Sequence, residues 1–176
     1  RSVALDFSDP ADRGTLRELL SQVDVVIEAS RPRALEQLGI DAPALVRTAR
    51  PRVWLSITAH GRDPSHRDRV GFGDDAAVAG GLVAWDGGDP HFCADAIADP
   101  STGVVAAAAV LDALASGGRW LLDVALSGVA AYLAGPTLRV PPGTEAAAAS
   151  PRRPRGIGRS LGADTEQVLA RLVTRS

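Results

Sequence analysis

The sequence has one cysteine, no lysine and no long apolar run. The scarcity of cysteine and of apolar runs limits the kinds of structure that the chain can form. The single cysteine, Cys93, rules out an intramolecular disulfide framework and a cysteine-rich metal site, as expected for a protein of the reducing cytoplasm. Every basic residue is arginine and alanine, glycine and proline are abundant, which is typical of a high-GC bacterium. The longest apolar stretch, residues 104–115, is shorter than the roughly 20 residues that span a bilayer. No membrane partner is therefore predicted.

The charge pattern and the positions of the histidines argue against nucleic-acid binding and against a metal site. The 19 basic and 21 acidic residues are mixed along most of the chain, which argues against a nucleic-acid partner. The one basic cluster, residues 152–159, is interpreted as exposed. His66 and His91 lie in polar segments without neighbours at metal-ligand spacing, so no metal site is predicted. The hydrophobic content of 45% is enough for the core of one domain.

Strand and helix patterns alternate along most of the chain. Strands are predicted at residues 3–7, 24–28, 53–58 and 121–125. Helices are predicted at residues 10–23, 34–38, 42–49, 73–82, 100–116, 128–133 and 165–173. This order predicts an α/β fold with a mostly parallel, Rossmann-like sheet flanked by helices. We expect residues 1–135 to form the core, 136–160 a linker rich in proline, alanine and arginine, and 161–176 a C-terminal helix that returns to the core.

Asp99 is the main candidate for chemistry because it begins the long alanine-rich helix. The positive end of a helix dipole and its free N–H groups favour a negative charge at this place. An aspartate followed by Pro100 is also an ordinary helix cap, and spacing alone favours that interpretation. Asp74 and Asp75 are interpreted in the same way, as acidic residues at a helix start rather than as a metal site.

Several segments, in order, resemble class III CoA-transferases. Residues 24–39, DVVIEASRPRALEQLG, are similar to the family sequence DVVIENFRPGVLERLG. Further matches are PRVWLSITAHG at 51–61, GFGDDAAVAGGL at 71–82, ADPSTGVVAAAAVLDAL at 98–114 and LGADTEQVL at 161–169. The resemblance implies the large, CoA-binding domain of these enzymes. Because the resemblance covers the large domain alone, we expect the family's N-terminal unit and small domain to be absent from these residues.

The resemblance also implies a reaction and a set of site residues. Family transferases move CoA from an acyl-CoA to a carboxylic acid through an aspartyl-CoA intermediate, and Asp99 stands where the family has its nucleophile. It implies no tightly bound cofactor, since coenzyme A is a substrate, and it implies a homodimer or a partner chain that supplies the missing domain. The positions that would contact CoA or substrate are Ser30, Arg31, Gln37, Leu38, His60, Thr102 and Gly103.

Departures from the family pattern keep two alternatives open. Ala29 and Ser30 replace an Asn-Phe pair that packs near the adenine, which favours a non-catalytic acyl-CoA-binding or assembly subunit as the second interpretation. Phe72 stands where the related acyl-CoA racemases have a histidine. Phenylalanine carries no proton, so racemase activity is the less favoured alternative.

Overall fold

The computed structural model describes residues 1–86, 88–135 and 156–173. These residues form two compact units. One contains residues 1–20 and 156–173, and the other contains residues 21–86 and 88–135. In chain order the elements are α1 (Pro10–Gln22), β1 (Val25–Glu28), α2 (Pro32–Gln37), α3 (Ala42–Thr48), β2 (Val53–Thr58), α4 (Gly73–Ala79), β3 (Val83–Asp86), β4 (Asp89–Phe92), α5 (Ala98–Ser116), β5 (Trp120–Ala125), α6 (Leu126–Ala134) and α7 (Thr165–Val173).

The larger unit is built on a three-stranded parallel sheet with the strand order β1-β2-β5. Apolar runs such as VVI and VWL form these strands, as expected for a parallel sheet whose central strand is covered on both faces. Val53, Trp54 and Leu55 of the central strand are 0–2% exposed. The predicted α/β fold with a parallel sheet and flanking helices is confirmed.

Helix α5 covers one face of this sheet. Ala106, Val110 and Ala113 pack against Val53 and Leu55, at a helical spacing of three and four residues. The helix ends where Gly117 adopts a φ of +73°, a conformation that glycine adopts without strain. By length and composition alone, α5 is also a helix that could cross a membrane, and 28% of its 18-residue apolar window is buried inside the protein.

A second core cluster brings α4, α5 and α6 together. Its buried members are Ala76, Ala77, Leu82, Ala98, Leu126 and Ala130. Small residues allow close approach: a Cβ atom on Gly80 would lie 2.5 Å from the Cβ of Ala130. The cluster therefore places the start of α4 next to the first turn of α5.

Two local predictions were wrong. Residues 3–7 do not form a strand, because the backbone there bonds to the C-terminal segment instead: the Ser2 N–H donates to Asp164 Oδ2 at 2.8 Å and the Ala4 N–H to Thr165 Oγ1 at 3.0 Å. Residues 83–92, for which no strand was predicted, form the antiparallel hairpin β3-β4. Most of the predicted linker, residues 136–155, lies outside the described residues, and 156–160 has no regular structure.

Candidate active site

A cavity of about 410 Å³ lies at the carboxyl ends of all three parallel strands. This is the edge of an open α/β sheet where ligands bind. The lining residues are Ala29, Ser30, Arg31, Pro32, Ile57, Thr58, Ala59, His60, Gly61, His66, Arg67, Arg69, Val70, Gly71, Phe72, Asp99 and Leu126. Residues from four parts of the sequence, 29–32, 57–72, 99 and 126, therefore meet at one place.

Asp99 contributes the one carboxylate among the described residues that line this cavity. It lies in the first turn of α5 and is exposed to solvent. Its N–H donates to the Ala96 carbonyl at 3.0 Å, which fixes the backbone at the helix start. Its side chain packs against the start of α4, because a Cβ atom on Gly73 would come within 2.6 Å of Asp99 Oδ2.

The other ionisable side chains of the lining are basic or imidazole groups. Arg31, Arg69, His60 and His66 line the cavity, together with Arg67, which pairs with Glu36. Partial burial lowers the pKa of His60 below its usual 6.5; the charges of Arg69 and His66 lower it further, while Asp75 acts in the opposite direction. His60 is therefore a neutral imidazole at pH 7. The lining as a whole suits an anionic ligand.

The structure brings together four of the residues singled out from the sequence. Ser30, Arg31, His60 and Asp99 all line the cavity. Gln37 and Leu38, at the end of α2, are not in its lining, and neither are Thr102 and Gly103. Thr102 is 1% exposed and its hydroxyl has no hydrogen-bond partner among the described residues, whereas Gly103 is exposed on α5.

A buried polar network behind the cavity was missed in the sequence. The Glu28 carboxylate, with 7% of its side chain exposed, accepts from Arg62 Nη1 at 2.9 Å and from Trp54 Nε1 at 3.1 Å. The Ser56 hydroxyl also donates to it, and Arg62 donates to Ser56 Oγ at 2.7 Å. An acidic residue at the end of the apolar run VVI was the available signal, because a buried charge requires a partner.

This network holds the segment that follows β2. The Arg62 N–H donates to Asp123 Oδ2 at 2.8 Å, and the Gly61 N–H donates to Thr58 Oγ1 at the same distance. His60 therefore lies in a loop whose backbone is held by hydrogen bonds at Gly61 and Arg62, directly after it. A second cavity of about 470 Å³, lined in part by Glu28 and Arg62, lies beside the network.

No metal site was found in the part of the chain that the structure describes. There, no group of three or more His, Cys, Asp and Glu side chains is close enough to hold an ion. Cys93 is exposed and unpaired with another cysteine.

Among the described residues, the cavity offers a carboxylate, two imidazoles and three guanidinium groups for chemistry and binding.

Comparison with known proteins points to one family. The family model of CoA-transferase family III matches residues 1–159. An acyl-CoA transferase of Fusarium pseudograminearum is 30% identical over 123 residues, which is 68% of this chain and 27% of that protein. The beta subunit of a succinyl-CoA–L-malate CoA-transferase of Chloroflexus aurantiacus is 32% identical over 83 residues, 47% of this chain and 20% of that protein.

The fold agrees with the sequence matches. The crystal structure of a CAIB/BAIF family protein from Brucella suis superposes with a TM-score of 0.67 at 27% identity, over 77% of this chain and 38% of that one. In the sequence comparison, the chain spans about a quarter of the length of the Fusarium relative. With a family model that matches most of its residues and a fold that superposes on that of a solved relative, the chain belongs to CoA-transferase family III.

Proposed function

We propose that this chain supports CoA transfer between an acyl-CoA and a carboxylic acid, with Asp99 as the nucleophile. The observation that carries the proposal is the lining of the cavity at the carboxyl ends of the strands, where Asp99 is the one carboxylate that the described residues contribute, among basic and imidazole side chains. The names of relatives support it, since one acts on succinyl-CoA and L-malate. Small carboxylic acids are therefore the proposed acceptors.

In the proposed reaction an Asp99 carboxylate oxygen attacks the thioester carbonyl of the donor. The C–S bond breaks, leaving a mixed anhydride and a CoA thiolate. The thiolate then attacks the aspartyl carbonyl, which releases the donor acid and forms an aspartyl-CoA thioester. An acceptor carboxylate reverses the two steps, taking up CoA and regenerating Asp99. Each step exchanges one acyl bond for another without a net proton transfer.

The basic side chains of the lining serve binding in this proposal. Coenzyme A carries phosphate groups, and guanidinium groups bind phosphate through charge-assisted, often bidentate, hydrogen bonds. Arg31 and Arg69 are exposed residues of the lining and therefore accessible to such a ligand. His60, which is neutral at pH 7, offers a hydrogen-bonding group that does not neutralise Asp99. We propose coenzyme A as a substrate and not as a resident cofactor.

The test is to trap the activated carboxylate. The purified chain is mixed with succinyl-CoA and hydroxylamine, which converts an aspartyl anhydride or thioester to a hydroxamate, and the product is mapped by peptide mass spectrometry. We expect the hydroxamate on Asp99. Asp99→Ala should abolish it, whereas Asp112→Ala, an exposed acidic residue on the same helix, should leave it unchanged.

The second candidate function is acyl-CoA binding without turnover, and the solvent exposure of Asp99 favours it. Water around an exposed carboxylate solvates its charge and weakens it as a nucleophile, so an acyl-CoA can bind without forming an acyl intermediate. Binding of succinyl-CoA in a calorimeter without a trapped hydroxamate would establish this candidate and overturn the first. A cytoplasmic location and a homodimer remain predictions that accompany either function.

A further inference from the structure

We propose that Gly73 and Asp74, the first two residues of α4, are positioning residues that fix the Asp99 carboxylate for attack. The inference rests on the proposed role of Asp99 as nucleophile. Neither residue lines the cavity, and the acidic pair Asp74-Asp75 is accounted for in the sequence by a favourable helix start alone. In the structure the two acidic residues have different partners.

Gly73 provides the space in which the carboxylate lies. It is buried, and a Cβ atom added to it would lie 2.6 Å from Asp99 Oδ2 and 2.8 Å from both Asp99 Cγ and the Ala96 Cβ. Ordinary contacts begin at 3.4 Å. Any side chain at position 73 must therefore displace the carboxylate. The carboxylate can rotate away, but the Ala96 Cβ atom moves only with its backbone, so a side chain at position 73 displaces both the reactive group and the turn that precedes it.

Asp74 holds the turn from which α5 begins. Its Oδ1 accepts the Ala96 N–H at 2.8 Å, across 22 residues of sequence. Ala96 has a φ of +45°, a left-handed conformation that is costly for alanine and persists only where neighbouring contacts impose it. The Ala96 carbonyl in turn accepts the Asp99 N–H at 3.0 Å. Asp74 is thus linked to the backbone of Asp99 by two successive hydrogen bonds, both through Ala96.

Asp75 serves a different purpose and shows that the two acidic residues are not equivalent. Its Oδ2 accepts the Phe72 N–H at 3.1 Å, which caps its own helix. It therefore supports α4 itself, whereas Gly73 and Asp74 face the turn and the carboxylate of α5. Positioning of this kind matters because a misplacement of about 1 Å in a reacting group can cost roughly a hundredfold in rate.

The first test compares two glycines of the same segment. Gly73→Ala and Gly80→Ala both introduce a Cβ atom at an impossible distance, but the Cβ atom at Gly80 would meet Ala130, Ala131 and Ser127 and not Asp99. We expect Gly73→Ala to lower the rate of hydroxamate formation roughly a hundredfold with an unchanged Kd for succinyl-CoA. Gly80→Ala should lower thermal stability but retain the rate in its folded fraction.

The second test uses the side chain of Asp74. Asp74→Ala removes the acceptor of the Ala96 N–H, whereas Asp74→Asn retains an oxygen at Oδ1. We expect a loss of rate in the first variant and rescue in the second. Asp41→Ala is the matched control, because Asp41 Oδ1 accepts a comparable bond from the Ala44 N–H at 2.9 Å, at the start of α3 and outside the cavity lining.

The outcomes separate this inference from the proposed function. If the wild-type chain forms no hydroxamate, the proposed function fails and the positioning role is overturned with it. If the wild type reacts and Gly73→Ala reacts at the same rate, or if Asp74→Asn is as slow as Asp74→Ala, the positioning role is overturned while the nucleophile stands. A parallel fall in rate and substrate affinity in Gly73→Ala would indicate general damage to the cavity and would also overturn it.

Discussion

Glu28 is a carboxylate in a position where an apolar residue would ordinarily lie. Its charge is stabilised by Arg62, whose side chain is 18% exposed, and by donors from Trp54 and Ser56. Removing one partner of a buried ion pair leaves the other uncompensated. We therefore expect Arg62→Ala to lower the free energy of unfolding by about 3–5 kcal/mol, measured by urea denaturation.

A matched pair near the start of the same strand provides the control. Arg50 Nε lies 3.1 Å from Asp24 Oδ1, but both side chains are more than half exposed. Solvent screens such a pair, so Arg50→Ala should cost less than about 1 kcal/mol. Equal losses in the two variants would show that burial does not govern the Glu28 pair.

His60 provides a prediction about protonation. Burial lowers its pKa first, and the charge of Arg69 lowers it next. Its midpoint, followed by NMR of the imidazole, should lie below 6.5 in the wild type and rise in Arg69→Ala, because a repelling cation is removed. Arg52→Ala, an exposed arginine that does not affect His60, should leave the midpoint in place.

The direction of the pH effect on stability follows from the same shift. Between the lowered pKa of His60 and 6.5, the unfolded chain binds more protons than the folded chain. The contribution of His60 to stability is therefore complete above pH 6.5 and decreases as the pH falls through that window. A midpoint at or above 6.5 in the wild type would contradict this description of the cavity.

Among the elements, α7 depends on one side chain that precedes it. Asp164 is 3% exposed, and its Oδ2 accepts from the Ser2 N–H at 2.8 Å and lies 3.3 Å from Arg159 Nε. Asp164→Ala leaves the Ser2 N–H without its acceptor, which costs about 1–3 kcal/mol. We expect faster amide exchange in residues 2–6 and in α7. Glu166→Ala, an exposed change in the first turn of α7, should leave exchange in residues 2–6 unchanged.

The elements also show which parts of the fold a sequence can predict. The helix α5 and the strands β2 and β5 follow from their apolar patterns, because α5 and β2 bury residues against each other and Leu122 and Val124 of β5 pack partly buried against the same cluster. The hairpin β3-β4 was missed because its strands are only four residues long and β4 is exposed throughout. Residues 3–7 have a strand-like pattern, but they find side-chain acceptors rather than a neighbouring strand.

The sequence predicts only those site residues that lie in segments resembling the family. Asp99 and Arg31 are visible in family-like segments, and the strand order then brings them to one edge of the sheet. Glu28 and Arg62 are 34 residues apart, and their pairing depends on the register of β1 and β2. Likewise, the close approach of Gly73 to Asp99 arises from packing between two helices, which local patterns do not encode.

At the scale of the whole molecule, the two units differ in how much apolar surface they bury. In the described residues of the smaller unit, Leu172 is the one apolar side chain below 9% exposure, whereas the larger unit holds all the others. Since burial supplies most of the protection against opening, residues 1–20 and 156–173 should exchange amide hydrogens well before β2 does. Hydrogen exchange followed by mass spectrometry measures this, and uniform protection across both units would contradict it.

The strand order of the parallel sheet has a consequence for the chain in concentrated solution. In the described residues β1 and β5 each have a paired neighbour on one side only, and Ile27 on β1 is 64% exposed. Edge strands present unpaired N–H and C=O groups, and an apolar edge is a template for pairing with another chain. We therefore expect the outer sides of β1 and β5 to favour pairing between copies of the chain in concentrated solution, and an added charge at Ile27 is the substitution best suited to suppress it.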